Sequence, residues 1–265
     1  MKLENKRILL TGASSDLGQE LALALAARGA RLYLVGRNEQ ALLALQRRLP
    51  DANHHNILLA DLFDEQDRDA LAECFPDNAR LDVLINNAAL STFSLFEDQS
   101  HETIHQQLLL NAEAPILLTH ALLDSINAPG IIMNIGSTLG GIGYPGYSVY
   151  CASQFALRGF SEALHRELSH KRIKVLHLAP RAIKTNDSNS AINILTQELG
   201  YRSDSPSQVA EHAVNVLERE SVRRWLGWPE KLFVRLNALL PAVVDNAIKR
   251  QLAVIQRYVA SQKNR

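Results

Sequence analysis

Cysteine is scarce in this chain: Cys74 and Cys151 are the only two among 265 residues. Two thiols with no C-x-x-C spacing exclude a disulfide framework and point to reduced, buried side chains. An excess of either charge is also missing, because 28 lysines and arginines face 28 aspartates and glutamates. A nucleic-acid surface needs a basic excess, so no nucleic-acid partner is expected. No apolar run reaches the length that spans a bilayer. The start, MKLENKRILLTG, passes from a short polar segment straight into an apolar strand. No signal peptide is therefore expected, and a cytoplasmic location is. No internal repeat, low-complexity tract or proline-rich linker divides the chain. What is abundant is apolar: hydrophobic residues make up 46% and charged residues 21%. That is the composition of a packed domain, and at this length one large α/β domain is expected.

Short apolar runs alternate with helical patterns. Arg7–Thr11, Leu32–Val35, Ile57–Asp61, Val83–Asn86, Ile131–Ile135 and Val175–Ala179 read as buried strands. Leu17–Arg28, ended by Gly29, and Glu39–Leu49, stopped by Pro50, read as helices. Such alternation implies right-handed β-α-β units in a Rossmann-like, doubly wound parallel sheet covered on both faces. Ligands on such a sheet bind beyond the carboxyl ends of the strands, near the point where strand order reverses. The first strand-to-helix turn reads Thr11-Gly-Ala-Ser-Ser-Asp-Leu-Gly18. Its small residues let a pyrophosphate approach free N–H groups at the positive end of the next helix.

This turn resembles the cofactor turn of the short-chain dehydrogenase/reductase family, usually T-G-x-x-x-G-x-G. Other pieces stand in the family's order over roughly Lys6–Thr185. Asp61 follows the third strand, Asn86-Asn-Ala-Ala89 the fourth, and Asn111 lies in a long helix. Ser137 follows the fifth strand, Tyr150 comes thirteen residues later, and Pro180–Thr185 follows the sixth. The resemblance implies an oxidoreductase that interconverts a carbonyl and a secondary alcohol by hydride transfer to or from a nicotinamide cofactor. The cofactor-binding set it implies begins with Gly12, Ser14, Ser15, Asp16, Leu17 and Gly18 of the turn. Arg37, Asp61, Leu62, Asn87, Ala88 and Ala89 follow, with Tyr150 and Gln154, then Pro180, Arg181, Ile183 and Thr185. The catalytic set it implies is Asn111, Ser137, Tyr150 and Gln154. In the family the tyrosine exchanges a proton, the serine orients the carbonyl oxygen and the asparagine anchors a water. A lysine one turn after the tyrosine holds the ribose and lowers the tyrosine pKa. No metal site is expected.

Gln154 stands where that lysine is expected. Residues four apart share a helix face, so Tyr150 and Gln154 point to one site. Glutamine keeps hydrogen bonding and loses the charge. Without a cationic neighbour a phenol titrates near 10, so about one part in a thousand is ionised at neutral pH. Losing two to three units of pKa depression costs about 3–4 kcal/mol, roughly 10²–10³-fold in rate. A weakened enzyme fits these residues, and so does a catalytically silent NADP(H)-binding sensor or assembly protein. Arg158, a turn beyond Gln154, is expected at the solvated surface, and Lys184 is expected to meet phosphate before ribose.

Three further departures concern the cofactor. Asp16 replaces the family's middle glycine; it weakens binding if it faces the ligand, or favours the first helical turn if it faces solvent. Ala89 adds one methyl in place of a glycine. Arg181 replaces another glycine, and reaches either the cofactor and substrate or solvent. Where an acid would bind both ribose hydroxyls, the second strand ends in Gly36-Arg37. A guanidinium there clasps a phosphate, so NADP(H) is expected over NAD(H).

Residues of about 186–207 match the family's substrate lid. Ile192, Ile194 and Leu195 there, with Tyr144 and Tyr147 near Ser137, suggest a medium-sized or lipophilic carbonyl substrate. The catalytic domain is expected over 1–224, with a helical extension over 225–265 packed on it. In that extension Leu232, Leu236, Leu239, Leu240, Val243 and Val244 recur at helical spacing, and a further helix is expected from about Val243 to Tyr258. It reads as a lid or subunit contact, with membrane-surface contact as the alternative. The helices carrying Asn111 and Tyr150 resemble the family's dimer faces, so a homodimer or homotetramer is expected.

Overall fold

The computed structural model describes residues 1–184 and 191–263. The first half of the chain runs β1 (Arg7–Thr11), α1 (Asp16–Ala26), β2 (Arg31–Gly36), α2 (Glu39–Arg48), β3 (Asn56–Leu59), α3 (Glu65–Glu73) and β4 (Leu81–Asn86). Next come α4 (His101–Leu108), α5 (Ala114–Leu122), β5 (Ile126–Ile135), α6 (Ser148–Glu167) and β6 (Ile173–Ala179). The chain closes with α7 (Ala191–Glu198), α8 (Pro206–Arg219), β7 (Arg223–Trp225), α9 (Glu230–Leu239), α10 (Pro241–Lys249) and α11 (Leu252–Lys263). Among the described residues no helix is long and apolar enough to cross a membrane.

All six expected strands form, and Arg223–Trp225 adds a seventh. The sheet order is β3-β2-β1-β4-β5-β6-β7, and every pairing is parallel. This is the Rossmann-like, doubly wound sheet that the alternating runs imply, with helices at its C-terminal end. Successive residues of a strand face opposite sides. Ile8 and Leu10 pack with Leu21 and Leu25 of α1 and with Val214 of α8, whereas Leu9 packs with Leu118 of α5 and Val175 of β6 on the other face. Both faces being covered, the central strands are apolar along most of their length.

Most element ends differ from the sequence reading by a residue or two, while β5 begins five residues earlier, at Ile126. Helix α1 begins at Asp16 because the Ser15 side chain accepts the Gly18 N–H and caps it. Strand β3 stops at Leu59, since the Asp61 N–H turns away to the Asp67 carboxylate at 2.7 Å. The single helix expected from about Val243 to Tyr258 is divided between α10 and α11. Gln251 sits at that break, and its side-chain oxygen accepts from Tyr144 at 3.2 Å and Tyr201 at 2.7 Å. Helix α11 then packs Ile255 and Val259 against Phe93 and Leu195, close to Tyr147. The C-terminal segment thus folds back over the end of the sheet where the candidate site lies.

Candidate active site

The turn between β1 and α1 is held to one shape by backbone contacts. Gly12 has φ +63°, and a Cβ there would meet Ala88 Cα at 2.8 Å. At Gly18 a Cβ would lie 2.1 Å from the Gly12 carbonyl oxygen. Thr11 Oγ1 donates to the Ile85 carbonyl and accepts the N–H groups of Asn87 (2.9 Å) and Ala88 (3.1 Å). The Asn87 amide returns two bonds, to the carbonyls of Thr11 (3.0 Å) and Gly12 (3.2 Å). The ends of β1 and β4, where the strand order reverses, are therefore one unit. Ser14 faces the end of β2 at Gly36, and Leu17 packs partly on the core. Asp16 lies in the first turn of α1 and lines a surface recess with Gln19, Arg48 and Ser207. Ala89, beyond Asn87 and Ala88, is exposed.

At the end of β2 Arg37 is 66% exposed, with NH1 3.6 Å from Asp61 Oδ2 and its guanidinium over the Phe63 ring. Leu62 is buried, its carbonyl accepting from Arg68 at 2.7 Å. The structure therefore brings Arg37, Asp61 and the glycine turn to one edge of the sheet.

Asn111 lies in a π-helical turn, Leu109–Glu113, between α4 and α5. Such single turns recur at functional sites. Its side chain grips Leu90 from both sides, accepting the N–H and donating to the carbonyl, each at 2.7 Å, and also donates to Ser153 Oγ at 3.1 Å. Asn111 is thus a strut joining the segment after β4 to α6, one residue before Gln154.

Ser137 follows β5, and its hydroxyl accepts the Leu139 N–H at 3.1 Å. The Tyr150 hydroxyl lies near enough to that of Ser137 for the serine to act on its pKa. Burial raises the Tyr150 pKa above its ordinary value; the Ser137 hydroxyl works against the rise and Cys151 adds to it. Among the described residues no cation contributes to that balance. Gln154, one turn along α6, is 1% exposed, and its Oε1 is without a hydrogen-bond partner among the described residues.

Pro180 is buried and its carbonyl accepts the Thr138 N–H at 2.8 Å, which ties the segment after β6 to the serine. Arg181 is engaged elsewhere, with NH2 2.5 Å from Asp204 and NH1 3.7 Å from Glu230. Ile183 forms a bridge with Asp204 and packs on the core, and Lys184 is exposed. Thr185 and residues 186–190 of the expected lid lie outside the described residues. Arg158 is not left at the solvated surface. It is half-buried, donating to Glu162 (3.1 Å) and to the Gly140 carbonyl (3.3 Å), with the Trp225 ring 5.4 Å beneath it. These partners hold the guanidinium against Gly140 and Trp225.

Sequence reasoning passed over His177 and Gly136. His177, inside β6, is 3% exposed, and burial lowers its pKa to about 4. The available signal was a histidine interrupting the strand run VLHLA.

The profile of the short chain dehydrogenase family matches residues 6–193. An uncharacterized oxidoreductase, YxnA of Bacillus subtilis, is 31% identical over 259 residues, covering 94% of this chain and 73% of that protein. Dehydrogenase/reductase SDR family member 7B of Bos taurus is 32% identical, with 91% and 79% covered. Among solved structures, a short-chain dehydrogenase from Streptomyces avermitilis aligns with TM-score 0.78 and 27% identity over 96% of this chain and 98% of its own. One from Burkholderia cenocepacia, solved in complex with NADP, has TM-score 0.78 at 20% identity over 94% and 99%, a likeness of fold. The pinned glycine turn, the serine-tyrosine pair and these matches agree: the chain belongs to the short-chain dehydrogenase/reductase family of oxidoreductases.

Proposed function

We propose that this protein is an NADP(H)-dependent oxidoreductase interconverting a carbonyl compound and a secondary alcohol, slowed by a neutral Gln154 at the family's lysine position. The observation that carries this reading is that the Ser137 and Tyr150 hydroxyls lie together at the carboxyl end of the sheet, the same end as the β1–α1 turn. The cofactor fits the residues present: Gly12 and Gly18 let the turn close tightly on Ala88 and on its own backbone at the head of α1, and Arg37 keeps two thirds of its side chain exposed for a 2′-phosphate. When bound, the nicotinamide supplies or accepts the hydride. Ser137 holds the substrate oxygen and Tyr150 moves the proton to or from it. Tyr147, whose ring neighbours that of Tyr150 and packs on the buried Phe93, Leu195 and Ile255 cluster, favours a lipophilic substrate.

Gln154 can still donate to a ribose hydroxyl, but it offers no charge to offset the burial that raises the Tyr150 pKa. Alcohol oxidation, which needs the phenolate, should therefore climb only toward alkaline pH. The same raised pKa favours a second reading, a cofactor-binding protein without turnover. The test is NADPH titration followed by turnover on a panel of aldehydes and ketones. Gln154→Lys should raise turnover about 10²-fold and move the alkaline limb to lower pH. NADPH binding with no consumption by either protein would favour the second reading.

A further inference from the structure

Two buried polar atoms converge on one point at the end of β5. A Cβ placed on Gly136 would lie 2.4 Å from His177 Nε2 and 3.4 Å from Gln154 Oε1. Among the described residues neither atom has a hydrogen-bond partner, although Gln154 is 1% and His177 3% exposed. Leaving a buried donor or acceptor unpaired costs about 1–3 kcal/mol, and folded interiors pair nearly all such groups. The two are chemically matched. A neutral imidazole protonated on Nε2 is a donor, and a carboxamide oxygen is an acceptor.

The surroundings hold the imidazole in place and keep it neutral. His177 stands in register with Asn134 of β5 and Arg223 of β7. The Trp225 ring meets it edge-on with centroids 6.1 Å apart, and a small recess shared with Ser161, Glu162 and His165 borders it. Burial keeps the proton off, helped by the charges of Arg158 and Arg223 and opposed by Glu162. Gly136 leaves the space between the two side chains open; any larger residue would close it.

We propose that His177 is a positioning residue, its Nε2–H donating to Gln154 Oε1 across Gly136, directly or through one water. A carboxamide can present either end to a ligand. A donor fixed on the sheet side selects the oxygen for itself and leaves the NH2 group facing Tyr150, available to the ribose of the cofactor. The pairing needs no cofactor; the use of the NH2 group rests on the NADP(H) reading above.

Protein labelled with 15N-histidine tests the pairing first, without cofactor. The His177 ring, identified by its loss in His177→Gln, should carry its proton on Nε2 at neutral pH, and Gln154→Met should shift that resonance. A proton on Nδ1, or a resonance indifferent to Gln154→Met, overturns the proposal. NADPH titrations then test the positioning. His177→Phe should weaken binding about tenfold in the native background and under about twofold in Gln154→Met, the signature of coupled residues. His177→Gln, which keeps an N–H donor, should restore most of the loss. Equal losses in both backgrounds overturn positioning. If the native chain binds no NADPH while the tautomer and its response to Gln154→Met hold, the pairing stands and the cofactor reading falls.

Discussion

His177 shows how far one residue's surroundings set its chemistry. The imidazole lies among the side chains of Arg158, Glu162 and His165 from α6 and of Arg223 from β7, and its pKa falls to about 4 through burial. The unfolded chain binds a proton near pH 6.5, so between about 6.5 and 4 it holds more protons than the native protein. Stability is full above that window and drops as pH falls through it, by about 3 kcal/mol at most. Urea melts between pH 7 and 4 should show this slope, and His177→Gln should flatten it. Arg37 carries a second prediction. With most of its side chain exposed beside Asp61, Arg37→Ser should weaken NADPH about tenfold, a loss of roughly 1.4 kcal/mol, and leave NADH nearly unchanged. Paired titrations with the two cofactors measure it. Arg37 was legible in the sequence because position along a strand end suffices to place it. The role of His177 was not, because it depends on a glycine and a glutamine from two other elements.

At the level of elements, the β1–α1 turn couples sequence to site most tightly. A methyl at Gly18 would press on the Gly12 carbonyl at 2.1 Å, so Gly18→Ala should force the turn open. The expected cost is about 3 kcal/mol, with loss of NADPH binding; thermal melts and titration report the two separately. That turn was legible because its residue types are demanded by backbone geometry, which is local. The π-helical turn at Asn111 was not, nor was the break between α10 and α11. Asn111 is held by Leu90 and Ser153, and the break is held at Gln251 by Tyr144 and Tyr201. Both features are made by partners far along the chain, which hydrophobic periodicity does not register.

Across the whole molecule, the Arg181 ion pairs tie the segment after β6 to Asp204 before α8 and to Glu230 at the start of α9. Both carboxylates are largely buried there. Removing the cation in Arg181→Met should leave them uncompensated and cost about 3 kcal/mol, read as a lower urea midpoint. Reversal of the loss in Arg181→Met combined with Asp204→Asn would identify the charge as the cause. The sequence by itself determined the parallel sheet, its crossover helices and the edge where a dinucleotide belongs, because buried strands must be apolar and a tight turn must be glycine. Only the tertiary structure decided that Arg181 and Arg158 serve the scaffold, and that Gln154 looks across Gly136 at His177. Those outcomes turn on distances between side chains brought together by the register of β5 and β6 and the packing of α6 on them.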